Sequence, residues 1–188
     1  MGVPSGYTSG QVVQAVPTGI NSAFVCVKAE TAFTTASTVT ADSIFTSSYT
    51  NYRLMIKMLG TANTNCPLVL RVGGVSATAA NYNEQGILAA STTVSGFRNT
   101  GGTSFAINGP NSAFFATFIV DFFGVAVAEA TIFMSQQFKN DGAYTTPYSY
   151  PAIYGNHTLS TAYDGFSFSP VSGTVTGTYT VYGYGKSV

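Results

Sequence analysis

The chain has 188 residues, enough for one domain whose core needs neither a disulfide nor a metal. Seven Asp and Glu balance seven Lys and Arg at net charge zero, and charged residues make up 7% of the chain against about 25% in an ordinary soluble domain. That excludes a phosphate-binding surface of clustered cations, so no nucleic-acid partner is expected, and it favours a protein packed against copies of itself.

Low charge alone could mean disorder, but 45% of the residues are apolar and 14% aromatic, with 14 Phe and 12 Tyr. A chain with this much apolar surface to bury folds. Abundant Thr, Val, Phe and Tyr favour strands, and 20 glycines interrupt any long helical period. The composition predicts an all-β protein.

Residues 1–21 hold several Gly and Pro with almost no periodicity, and are predicted to form an extended N-terminal arm ahead of one domain over 22–188. Tyr7, Val12, Val13 and Val16 need cover, which makes them the candidate docking residues of the arm. The start has neither the basic stretch nor the apolar core of a secretory leader, so synthesis in a reducing cytoplasm is expected, with Cys26 and Cys66 as free thiols.

Short strands are predicted at 23–28 and 38–41, the second followed by Asp42 and Ser43 as the cap of one helical turn through Ile44 and Phe45. The clearest strand runs from Asn51 to Leu59. Tyr52, Leu54, Ile56 and Met58 share one face; Arg53, Met55, Lys57 and Leu59 share the other, and the charges mark that second face as outward. Leu68, Leu70 and Val72 repeat the pattern with Val69 and Arg71 outward, and 73–110 reads as loop with one strand at 86–90.

Residues 113–123 differ in kind. Phe114, Phe118, Val120 and Phe122 line one face, yet Phe115, Ile119 and Phe123 line the other. A strand apolar on both faces is covered on both faces. In a two-layer sandwich the second cover is another segment or another subunit, so Phe115, Ile119 and Phe123 are the candidate subunit interface. The apolar stretch continues to Met134 but contains Asp121 and Glu129. A central Asp costs about 2.5–3.5 kcal/mol on membrane insertion, so no membrane insertion is expected. A partner strand over 125–134, a turn at 139–142 and strands at 165–169 and 173–184 complete the pattern. Short strands with Gly-rich connections predict an antiparallel β-sandwich of jelly-roll type.

Chemical motifs are sparse. Gly183-Tyr184-Gly185-Lys186-Ser187 looks like the end of a phosphate-binding loop, but Thr180 stands where that motif needs Gly. His157, in a predicted loop, has no second His or nearby Cys to complete a metal site and reads as exposed or locally bonded. Asp42, Asp141 and Asp164 adjoin Ser or Gly in turn contexts, where Asp bonds local backbone. Asp121 and Glu129 could meet across a hairpin, and a structural role is expected for both. No catalytic, cofactor or metal residue is assigned and no enzyme activity is predicted. Tyr144, Tyr148, Tyr150 and Tyr154 cluster around Pro147 and Pro151 near Asn156. They form a candidate recognition loop, because exposed Tyr stacks on sugars and is favoured at protein interfaces. The competing expectation is an ordered loop packed on its own sandwich.

Two passages resemble recurring pieces of tailed-bacteriophage virion proteins. One is Phe45-Thr-Ser-Ser-Tyr49-Thr-Asn-Tyr52-Arg-Leu-Met-Ile-Lys57; the other runs from Tyr163-Asp-Gly-Phe166 through Gly173 and Gly177 to Val181-Tyr-Gly-Tyr184. The resemblance implies a β-sandwich module of a non-enzymatic virion structural protein. The expected role is a capsid-decorating (cement) or short surface-appendage protein, docked by its arm on another virion protein such as the major capsid protein. The alternative is the receptor- or carbohydrate-binding tip of a tail fibre. Phage decorations and fibre heads often have threefold symmetry, so the resemblance also implies a homotrimer.

Overall fold

The computed structural model describes residues 24–90, 92–107, 109–110, 112–140 and 148–185. The arm residues Tyr7, Val12, Val13 and Val16, together with Tyr144, lie outside them. Twelve strands follow in order: β1 (Phe24–Ala36), β2 (Val39–Ala41), β3 (Asn51–Gly60), β4 (Leu68–Val72), β5 (Val75–Ser76), β6 (Tyr82–Ala90), β7 (Thr93–Gly102), β8 (Ala116–Phe123), β9 (Ala130–Asn140), β10 (Tyr148–Ser160), β11 (Gly165–Phe168) and β12 (Val175–Tyr184). No helix occurs among the described residues.

The strands form an eight-stranded sheet in the order β1-β12-β3-β8-β9-β10-β6-β7 and a four-stranded sheet in the order β2-β11-β4-β5. Every pairing is antiparallel, as the sequence predicts. The two sheets pack as a β-sandwich because each has an apolar face to hide. Tyr52, Leu54, Ile56 and Met58 of β3 and Phe118, Val120 and Phe122 of β8 turn inward and are buried. Aromatic contacts stitch the layers together. Phe45 lies 5.5 Å from Phe122 and 6.0 Å from Phe166, Tyr179 lies 5.6 Å from Phe166, and Phe33 lies 5.6 Å from Phe168. Buried tyrosines need a partner for the hydroxyl. Tyr82 Oη donates to the Ala77 carbonyl at 2.7 Å and accepts from the Leu70 amide at 3.1 Å, tying the large sheet to the small one. Both cysteines are free, Cys26 exposed and Cys66 buried, and burial pushes the Cys66 thiol up to about 12.

Several segments differ from the sequence reading. No helical turn follows Asp42; the Ile44 and Phe45 amides both donate to the Asp164 carbonyl, at 2.7 and 3.0 Å, so this stretch is tied to the entry of β11 instead. Val72 is exposed, since it ends β4 at the Gly73-Gly74 turn, whose two positive φ values, 57° and 79°, suit a tight hairpin. β5, β6 and β7 occupy most of what reads as loop, because β7 is an almost fully exposed edge and carries no alternation. Residues 125–128 form a turn, and the partner strand is β9, which runs on through Gln136 and Gln137 to Asn140. The Gln137 side chain is buried and donates to Ser135 Oγ at 3.0 Å, which is how a strand tolerates an inward amide. β10 takes in Tyr148, Tyr150, Tyr154 and His157 alike.

Candidate functional site

The small sheet covers only one face of the large one. On the other face the antiparallel registers align outward side chains in rows across the sheet. One row is Tyr182, Arg53, Asp121, Met134, Tyr154, Gln85 and Arg98, each opposite the next on β12, β3, β8, β9, β10, β6 and β7. The adjacent row is Thr180, Met55, Ile119, Gln136, Ala152 and Ile87.

At one end the face is held by charge. Arg53 makes a bidentate pair with Asp121, Nε to Oδ1 and Nη2 to Oδ2 both at 2.7 Å, and Tyr184 Oη donates to Oδ1 at 2.5 Å. The hydrogen bond to Asp121 holds the guanidinium above its ordinary range. Burial, and then the Asp121 hydrogen bond, push the Tyr184 phenol up to about 12. Arg53 also lies over the Phe24 ring at 5.2 Å. A small cleft of about 90 Å³ beside this pair reaches Tyr154 and Met134.

The middle of the face is apolar. Phe115, Ile119 and Phe123 all point to it, as the alternation of β8 requires. Phe115, just before β8, is 45% exposed, with Lys57 Nζ 4.7 Å from its ring centroid. Ile119 lines a shallow groove of about 410 Å³ with Phe138, Tyr150 and Pro151. Phe138 and Tyr150 pack edge to face at 5.3 Å across β9 and β10. Phe123 is half-buried, 6.4 Å from Tyr184.

Tyr148, Tyr150 and Tyr154 stand on a strand where the sequence suggests a loop. Tyr150 and Tyr154 alternate outward along β10 and are each 50% exposed; Tyr148 opens the strand. The far end, over β10, β6 and β7, is a polar groove of about 500 Å³ whose floor is Tyr154, Asn156, Asn83, Gln85 and Arg98. Sequence reasoning missed Asn83, Gln85 and Arg98, since only strand order brings them beside Tyr154.

The remaining candidates separate. His157 is fully buried on β10, not exposed in a loop: Tyr163 Oη sits 3.1 Å from Nδ1, and the Tyr82 ring lies edge-on at 4.4 Å. Burial lowers its pKa. Asp121 and Glu129 do not meet: Asp121 faces Met134 across the hairpin and is held by Arg53, while Glu129 lies against Gly124. Asp42 bonds Arg71 at 2.7 Å, and Asp164 Oδ2 accepts from the Gly73 amide at 2.9 Å, so both tie distant segments and not local turns. Among the described residues, no three of His, Cys, Asp and Glu gather as a metal site, and no helix is long and apolar enough to cross a membrane. No protein-family model, curated protein or solved structure matches the chain.

Proposed function

We propose that the chain is a non-enzymatic structural protein of a phage particle, a capsid-decorating or short surface-appendage module that assembles through the open face of its eight-stranded sheet. One observation carries this reading: Ile119, Phe138 and Tyr150 line an apolar groove, and Phe115 stands exposed in a neighbouring groove beside Lys57, on a face that no described part of the chain covers. Burying one such side chain contributes about 1.5–3 kcal/mol, and a stable interface removes roughly 800 Å² per partner. A second copy is the natural cover, because a chain with 7% charged residues and zero net charge offers little repulsion to self-association. The threefold state and the virion address rest on the resemblance of 45–57 and 163–184 to phage virion proteins, and the docking arm on the composition of 1–21, where Tyr7, Val12, Val13 and Val16 need cover.

Two measurements test the proposal. Sedimentation of the full chain is expected to show one oligomer, a trimer, that Phe115→Ser with Ile119→Lys converts to monomer; a wild-type monomer at about micromolar concentration defeats the assembly reading. Mass spectrometry of purified particles is expected to find the chain as a virion component, lost when residues 1–20 are deleted. Its absence from particles defeats the virion reading.

A further inference from the structure

We infer that the polar groove over β10, β6 and β7 is a carbohydrate-binding site, with Tyr154 as its stacking platform and Asn83, Gln85, Arg98 and Asn156 as its hydrogen-bonding floor. The inference does not rest on the assembly reading, which uses the apolar centre of the same face.

The floor is set by register. Tyr154 stands opposite Gln85, and Gln85 stands opposite Arg98; Asn156 stands opposite Asn83 one step along. Two of these groups are anchored. Asn83 Nδ2 donates to Asn156 Oδ1 at 3.2 Å, while Asn83 Oδ1 accepts from the Gly101 amide at 3.0 Å. The Asn156 amide nitrogen therefore keeps both hydrogens for a ligand. The side chains of Gln85 and Arg98 make no hydrogen bond or ion pair among the described residues. Beneath the floor β10 and β6 approach closely at Gly155, where a Cβ would meet the Asn83 carbonyl oxygen at 2.3 Å.

These groups select a ligand class. Neutral amides and a guanidinium fork together supply donors and acceptors in planar pairs, which match adjacent hydroxyls or a sugar carboxylate. The ring of Tyr154, half exposed, offers an apolar face to the C–H side of a pyranose. Arg98 is the one cation lining the groove, beside the buried carboxylate of Glu84, too little for a phosphate polymer, which needs several cations. The groove has one aromatic and no apolar pocket, which argues against a peptide anchored by side chains.

The test uses the full chain and three trisaccharides: maltotriose, triacetylchitotriose and tri-galacturonic acid. Titration calorimetry is expected to show saturable binding of at least one, in the micromolar to millimolar range typical of a shallow open site. Tyr154→Ala and Arg98→Ala are each expected to weaken it at least tenfold with unchanged thermal unfolding, while Phe115→Ser leaves it intact. Binding of the galacturonate alone, weakened by salt, assigns a carboxylate to Arg98; binding of a neutral sugar assigns it hydroxyls. No saturation by any of the three at about 10 mM, or binding that survives Tyr154→Ala, overturns the inference. Should the chain prove monomeric, the glycan titration still decides this site, so the two readings fail separately.

Discussion

Asp121 is the acid most strongly held among the described residues, bound twice by Arg53 and once by Tyr184 on the outer face. Its side chain is 14% exposed and that of Arg53 is 31% exposed, so solvent screens the pair only in part. Asp121→Asn removes the charge but keeps the shape, and is expected to cost about 1–3 kcal/mol because Arg53 loses an ionic acceptor. Urea unfolding reads it, and a double-mutant cycle with Arg53→Met should return a coupling energy; a coupling near zero would show the pair to be ornamental. His157 makes a different prediction. Its Nε2 and the Thr131 Oγ1 of its register partner are buried without a protein hydrogen-bond partner, so the fold favours the neutral ring. The folded pKa lies below the unfolded value near about 6.5, hence the unfolded chain binds the proton first as pH falls. Stability is therefore full above about pH 6.5 and declines from there toward pH 5. Urea midpoints at pH 7 and pH 5 should differ, and His157→Gln should flatten the difference; equal midpoints in the wild type would refute it. None of this was legible in the sequence, where a lone His between Asn156 and Thr158 has the look of a loop residue.

At the scale of elements, legibility follows alternation. β3 shows it in full, because it has the core on one side, and its inward face reads correctly residue by residue; β8 is apolar on both faces in sequence, yet Phe118, Val120 and Phe122 turn inward as expected, while Phe114 lies ahead of the strand and is half-buried. β7 shows no alternation, as an edge strand with both faces wet has no reason to alternate. β10 fails for another reason: Pro151 and Gly155 carry turn propensity, and pairing on both sides with β9 and β6 overrides it. Glycines inside strands mark places where backbones approach closely. On β12 a Cβ at Gly177 would meet the Lys57 carbonyl oxygen at 2.0 Å and Met58 Cα at 2.8 Å. Gly177→Ala must shift the β12–β3 ladder, with an expected loss of about 1–3 kcal/mol, the range of overpacked cores. In a chain of this size that lowers the melting temperature by roughly 2–4 °C per kcal/mol. Gly96→Ala on β7, whose Cβ would come no closer than 3.8 Å to the Gly86 carbonyl oxygen, is the matched control and should unfold like the wild type.

For the molecule as a whole, the sandwich could be anticipated from strand count, but neither the division into eight and four strands nor the polar groove could. Asn83, Gln85 and Arg98 become neighbours of Tyr154 only because β6 and β7 add to the far side of β10, and alternation within a strand carries no information about its neighbours. What composition does convey is the physics of association. The apolar centre around Ile119 and Phe138 has few charges at its margin, chiefly Glu30 and Lys57 beside Phe115 and the internally paired Arg53 and Asp121. Salt weakens association only where unpaired charges attract across the interface, and it screens them over about 10 Å at 0.1 M. An oligomer held by this face is therefore expected to keep its dissociation constant between low and high sodium chloride, and to tighten in ammonium sulfate, which strengthens apolar burial. Sedimentation across such a series measures it directly. Dissociation by added sodium chloride would place the contact on charged groups elsewhere and remove Phe115, Ile119 and Phe123 from the interface.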